Sequence, residues 1–230
     1  MGKALGIPAV LLPGLQHRHP LPLIGGGQAE LDRAEAEAGW GAKAERYSGK
    51  IQRAVEETDG LGVLYNGAPI QAVFFSSAAG RTVGAVEAWG NSVDYLVGVE
   101  SPEGEEVPNY HSQVVLTAEE VRTAALAQYP GADLSGDPSG WFSQTVENSA
   151  GGVASVDLGG VTLTGSEVRT LFGLRSASFS VSWDGEAFTF DVTGYGHGAG
   201  MSQYGAKAMA ELGYTYDEIL EFYYTDITIK

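Results

Sequence analysis

Near its C-terminal end the chain reads Gly194-Tyr195-Gly196-His197-Gly198-Ala199-Gly200-Met201-Ser202-Gln203-Tyr204-Gly205-Ala206. This glycine-dense loop holds one histidine and runs straight into a helix-like segment. Glycines on both sides of His197 let the backbone take positive φ and let another stretch of chain or a ligand come close. Two outcomes are open for the imidazole. It is displayed on a bare loop, or it is satisfied inside a tight strand-to-helix turn. In either case positive φ is expected at Gly196 or Gly198.

The rest of the pattern fits around this loop. Leu61 to Tyr65 and Ile70 to Phe75 flank Asn66-Gly67, a pair that favours a tight hairpin turn, and the hairpin is expected to deliver Ser76-Ser77 to its end. A second hairpin, Ser178 to Trp183 and Ala187 to Val192 around Asp184-Gly185, leads to the histidine loop. Short strands are expected at Ser143 to Asn148, Val153 to Leu158 and Val161 to Thr164. Thr117 with Glu120, and Thr215 with Glu218, have the spacing of capping boxes that open helices, and further helices are expected near Ser166 to Phe172 and Ser202 to Leu212. The class is α+β: a mixed, mainly antiparallel sheet with hairpins and flanking helices, and a cleft at the sheet rim where the serine and histidine loops meet.

Composition narrows the function. The chain has 230 residues and a net charge of −16, which argues against nucleic acid and against anionic membrane surfaces as partners. No cysteine is present, so disulfides and thiolate zinc sites are excluded. No apolar run is long enough to span a bilayer. Residues 1–27 are rich in Pro, Gly and Leu and read as irregular; Gln28 to Ala44 is helix-capable. Met1-Gly2-Lys3 followed by Ala4 to Leu15 has the outline of a signal peptide, but Pro8 and Pro13 interrupt it and no small-residue cleavage site follows. A serine hydrolase pairing of His197 with Ser76 or Ser77 is disfavoured, because neither serine lies in a Gly-x-Ser-x-Gly turn. A metal site from His17, His19, His111 and His197 is disfavoured too, since no Asp or Glu stands at ligand spacing from any of them.

The segment from Gly196 to Ala206, continued by Met209-Ala210, Gly213-Tyr214, Tyr216, Ile219-Leu220 and Tyr223-Tyr224, resembles the C-terminal signature of the stage II sporulation protein D/LytB family of bacterial cell-wall proteins. Ala54 to Gly60 with Leu64 to Gly67 is similar to an upstream stretch of that family. So are Phe75 to Thr82, Trp89-Gly90 with Tyr95-Leu96, and Gly165 to Arg169 with Leu174 to Ser176. The resemblance covers residues 45–230 and leaves 1–44 unmatched. It implies an extracytoplasmic protein of the cell wall with no cofactor assigned, whose partners are peptidoglycan glycan strands and an N-acetylmuramoyl-L-alanine amidase. Ser76, Ser77, Arg81, His197, Ser202, Gln203 and Tyr204 are the residues it points to for substrate binding. Trp89 and Tyr204 offer apolar faces for sugar rings, with burial in the core as the other role for Trp89.

Relatives of this type that cut glycan as lytic transglycosylases are understood to use a glutamate in a Glu-Met-Pro segment. Methionine stands only at positions 1, 201 and 209 of this chain, and none of these lies in such a segment. The catalytic residue is therefore unassigned, with Glu30, Glu35 and Glu37 as the substitutes to weigh. A transglycosylase must protonate the leaving oxygen, so two readings stand: a glycan-binding or amidase-modifying module, and a lytic transglycosylase with a relocated acid. A damaged or shortened copy is a third.

Overall fold

A computed structural model describes residues 32–230, and Glu30, His17 and His19 lie outside them. The chain divides into two compact units between Leu61 and Gly62. In the first, α1 (Arg33–Trp40) starts at Asp32, whose carboxylate accepts from the Glu35 N–H while Glu35 accepts from the Asp32 N–H. A single helix through Ala44 is expected from composition, but Gly41 at φ 53° breaks it. One 3-10 turn follows, then α2 (Ala44–Glu57), and the Trp40 and Tyr47 rings meet edge to face across the break.

The second unit runs through β1 (Val63–Tyr65), β2 (Ala68–Pro69), β3 (Phe74–Phe75), α3 (Ala85–Trp89), β4 (His111–Thr117) and α4 (Ala118–Gln128). It continues through β5 (Phe142–Glu147), β6 (Val153–Leu158), β7 (Val161–Thr164) and α5 (Gly165–Phe172). Last come β8 (Phe179–Trp183), β9 (Ala187–Thr193), β10 (Met201–Ser202), α6 (Gln203–Glu211), α7 (Tyr216–Tyr223) and β11 (Thr228–Ile229). The α+β class and the mainly antiparallel pairing are as expected. The strands are spread over four small sheets, ordered β11-β1-β2, β10-β3, β4-β9-β8 and β5-β6-β7.

Both expected hairpin turns form. Asn66 and Gly67 sit at φ 50° and 79° between the paired Tyr65 and Ala68, which is the twist a two-residue turn needs. The arm beyond this turn is shorter than expected: past Pro69 the Ile70 N–H makes the last bond to β1, to Val63 O at 3.0 Å, and the Gln71 N–H goes to Tyr95 Oη at 2.9 Å. The chain therefore leaves β1, and Phe74–Phe75 pairs in parallel with Met201–Ser202 instead. The hairpin does not itself deliver the serines; this second pairing does.

One core lies between the two larger sheets and their helices. On β9, Phe188, Phe190 and Val192 point inward, while Asp191 points out to accept from Gln113 Nε2 at 2.6 Å. They meet Val121 and Ala125 of α4, Val168 and Phe172 of α5, and Val156 and Leu158 of β6. Phe142 packs edge-on against Phe188 and Phe190 at 5.2 and 5.6 Å. α4 and α5 open on capping boxes at Thr117 with Glu120 and at Thr164 with Glu167. A second cluster gathers Leu96, Met209, Ile219, Tyr223 and Tyr224 beneath α6 and α7. It is this cluster that carries the glycine loop.

Phe190 has no exposed surface, so Phe190→Ala is expected to cost about 3–5 kcal/mol of unfolding free energy by urea titration. Val115, 58% exposed on β4, should tolerate Thr within about 0.5 kcal/mol.

Candidate functional site

The serine loop and the glycine loop run side by side and are stitched by backbone. Ser77 and Tyr195 exchange both N–H···O bonds, at 3.0 and 2.8 Å. Val83 N–H donates to Gly198 O at 2.8 Å, and Tyr204 N–H donates to Ser76 O at 3.0 Å. Such closeness leaves no room for side chains. Gly194, Gly196, Gly198 and Gly200 all have positive φ, and a Cβ at Gly194, Gly196 or Gly200 would collide with Ser77, Phe75 or Val73, while one at Gly198 would only touch Val83. Gly200 is the most constrained, at φ 76° with its Cβ position overlapping Val73 O.

His197 is not displayed. Its ring lies between Phe75 and Trp89, with centroids 5.5 and 5.4 Å away. Nε2 lies 3.1 Å from Phe74 O and Nδ1 lies 3.2 Å from the Ala199 N–H. A carbonyl only accepts and an amide N–H only donates, so Nε2 carries the proton and the imidazole is the neutral tautomer. Burial pushes its pKa below the ordinary value, the Phe74 carbonyl opposes this, and the charge of Arg169 adds to the lowering. Both ring nitrogens are thus spent on the loop's own shape, and Trp89 takes the packing role rather than an open sugar platform.

Beneath the two loops lies a residue that sequence reasoning passed over. Glu103 is 4% exposed, and its Oε1 accepts from the Ala78 N–H at 2.7 Å and from the Ser202 hydroxyl. Ser202 Oγ in turn accepts from the Gly205 N–H at 3.2 Å and caps α6. Glu103 Oε2 is buried with no donor. Beside it Ser101 Oγ and Tyr223 Oη lie 2.7 Å apart, and burial pushes the Tyr223 hydroxyl up to about 12, keeping it neutral. Gly205 makes this possible, since a Cβ there would collide with Tyr223, Ser101 and Glu103 together. Nothing local marks Glu103, because its partners come from residues 78 and 202.

The expected binding residues fall into two groups. Ser77, 4% exposed, and Ser202, fully buried, face inward. Ser76, Gln203, Tyr204 and Arg81 are half-buried. Arg81 is held by Glu100 at 2.9 Å and by Gly98 O at 2.7 Å. An open groove of about 480 Å³ is lined by Arg81, Glu87, Asp94, Leu96 and Ser149; neither Ser77 nor His197 lines it. The loops converge, then, but a cleft shared by serine and histidine side chains is not among these features. Of the substitute acids, Glu35 is engaged in the α1 cap, and Glu37 is held below the usual carboxylate range by hydrogen bonds from Arg33 and Ser48. A proton donor needs the opposite shift. His111 sits on the surface with Glu105 at 2.8 Å.

Several proteins are similar to this chain in sequence. Stage II sporulation protein D of Bacillus subtilis (strain 168) is 36% identical over 203 residues, 88% of this chain and 57% of that protein. The protein of the same name from Bacillus amyloliquefaciens is 33% identical over the same shares. An amidase enhancer of Bacillus subtilis (strain 168) is 28% identical across 80% of this chain and 33% of its own length. The chain thus spans little more than half of the sporulation proteins it matches. No family model matches it.

Two outcomes follow from this geometry. Gly200→Ala should lower the melting temperature more than Gly198→Ala: both carry the left-handed penalty of about 1–2 kcal/mol, but only the first adds a backbone collision, the second meeting Val83 Cγ2 at 3.4 Å. For His197, the unfolded chain takes the proton first as pH falls. Its contribution to stability is whole above the ordinary pKa of 6.5 and is lost below it, toward the depressed folded value. Urea unfolding from pH 7 downward should show this slope, and His197→Gln should flatten it.

Proposed function

We propose that this chain is an extracytoplasmic cell-wall protein that holds peptidoglycan glycan strands and modifies wall cleavage in company with an N-acetylmuramoyl-L-alanine amidase, without cutting glycan by itself. The homology to sporulation proteins and to an amidase enhancer supports the setting. One observation carries the choice of binding over cutting: both nitrogens of His197 and the hydroxyl of Ser202 are consumed inside the protein. No imidazole proton is left for a leaving glycosidic oxygen, since the one ring N–H is given to Phe74 O. Ser76, Gln203, Tyr204 and Arg81 remain partly open, and hydroxyl, amide and guanidinium donors beside aromatic faces suit a polymer of N-acetylated sugars.

A second reading, a lytic transglycosylase, is favoured by Glu103, an enclosed carboxyl with one unpartnered oxygen. The two separate cleanly. Incubated with peptide-free glycan strands, the chain should retain them on the protein yet release few products ending in 1,6-anhydro-N-acetylmuramic acid by mass spectrometry. Sustained anhydro product that disappears in Glu103→Gln would establish the second reading instead.

A further inference from the structure

The lysines and arginines of the second unit are Arg81, Arg122, Arg169, Arg175, Lys207 and Lys230, in a chain whose net charge is −16. Arg81, Arg122 and Lys207 are each paired, with Glu100, Glu119 and Glu211. Arg169 and Arg175 form no ion pair among the described residues, although carboxylates outnumber cations in the whole chain by 29 to 13. They stand together. Arg169 Nε donates to Arg175 O at 3.2 Å, and the same carbonyl accepts from the Gly196 N–H at 2.9 Å. The guanidinium of Arg175 lies over the Tyr195 ring, 4.2 Å from its centroid, with its Nε buried and unpartnered. Tyr195 is 38% exposed on the outer side of the glycine loop.

Half-burial of two cations without an acidic partner is costly to a fold. A fold that merely needed packing there has apolar residues available. From these contacts we infer that Arg169 and Arg175, with Tyr195, form a subsite for a carboxylate group on the glycan ligand. The inference rests on the glycan-binding reading above and names the part of the ligand that this corner takes. Forked donors beside an aromatic face fit a saccharide bearing an acid: the carboxylate meets guanidinium nitrogens while the sugar ring lies on Tyr195. The approach of a polyanion to so acidic a surface needs such a local reversal of sign. In peptidoglycan the acid has two sources, the lactyl group of muramic acid where the stem peptide is gone, or the stem peptide itself.

Equilibrium binding of the whole chain to three probes tests this: peptide-free glycan strands, strands carrying stem peptides, and chitohexaose, a neutral N-acetylglucosamine hexamer. At low salt, at least one acidic polymer should bind more tightly than chitohexaose, and Arg169→Gln and Arg175→Gln should each weaken it about tenfold while leaving chitohexaose binding unchanged. Whichever acidic strand is preferred identifies the source of the carboxylate. Arg175→Lys keeps the charge and the stem over Tyr195, and is expected to bind between wild type and Gln; it also serves should Arg175→Gln fail to fold. Acidic and neutral glycans bound equally, with no effect of either arginine, would overturn the carboxylate subsite and leave glycan binding standing. No binding to any of the three by folded wild type would overturn both.

Discussion

The fold of the second unit hinges on two stretches of backbone lying closer than side chains would allow. Residues 73–83 and 194–204 are joined by direct amide–carbonyl bonds at Ser77, Val83 and Tyr204. Four alternate glycines at positive φ make that contact possible. From it follow the enclosure of His197 between Phe75 and Trp89, the reach of Glu103 to Ala78 and Ser202, and the position of Arg175 O, which anchors Gly196. With a side chain at Gly200 pushing the strands apart, all of these lose their register together.

Glu103 extends the constraint inward. A carboxylate taken from water has to be compensated by donors, and here they are an amide, a hydroxyl and the positive end of α6 that Ser202 caps. The arrangement ties three segments far apart in sequence to one oxygen. The other oxygen has none. The same acid can therefore be read as a staple or as a proton donor, and the two functional readings part at this residue.

Local chemistry made much of this legible in advance. The capping boxes at Thr117 and Thr215, the turns at Asn66-Gly67 and Asp184-Gly185, and strands β6 and β7 each depend on residues a few positions apart. The Ser76 and His197 loops were also expected to meet, and they do. What escaped was long-range. The hairpin arm ends at Ile70 and Phe74–Phe75 pairs with β10 instead, which no period in the sequence announces. The burial of Ser77, Ser202 and Glu103 is set by that pairing, as is the choice between a displayed and an enclosed imidazole. Arg169 and Arg175 stood out in sequence only as part of a family-like stretch. Their lack of acidic partners is a property of three dimensions.

The parallel contact of β3 with β10 also bears on the order in which the protein forms. The His197 bond to Phe74 O closes a loop of 123 residues, and the entropy of closing such a loop is lost before any of the site's contacts is gained. The hairpins and capped helices need only near neighbours and have no such delay. Folding should then proceed from locally built sheets to a late clasp made by two-residue strands. Because β10 runs directly into α6, which packs with α7 in the second cluster, the site comes into being only when these two helices have docked.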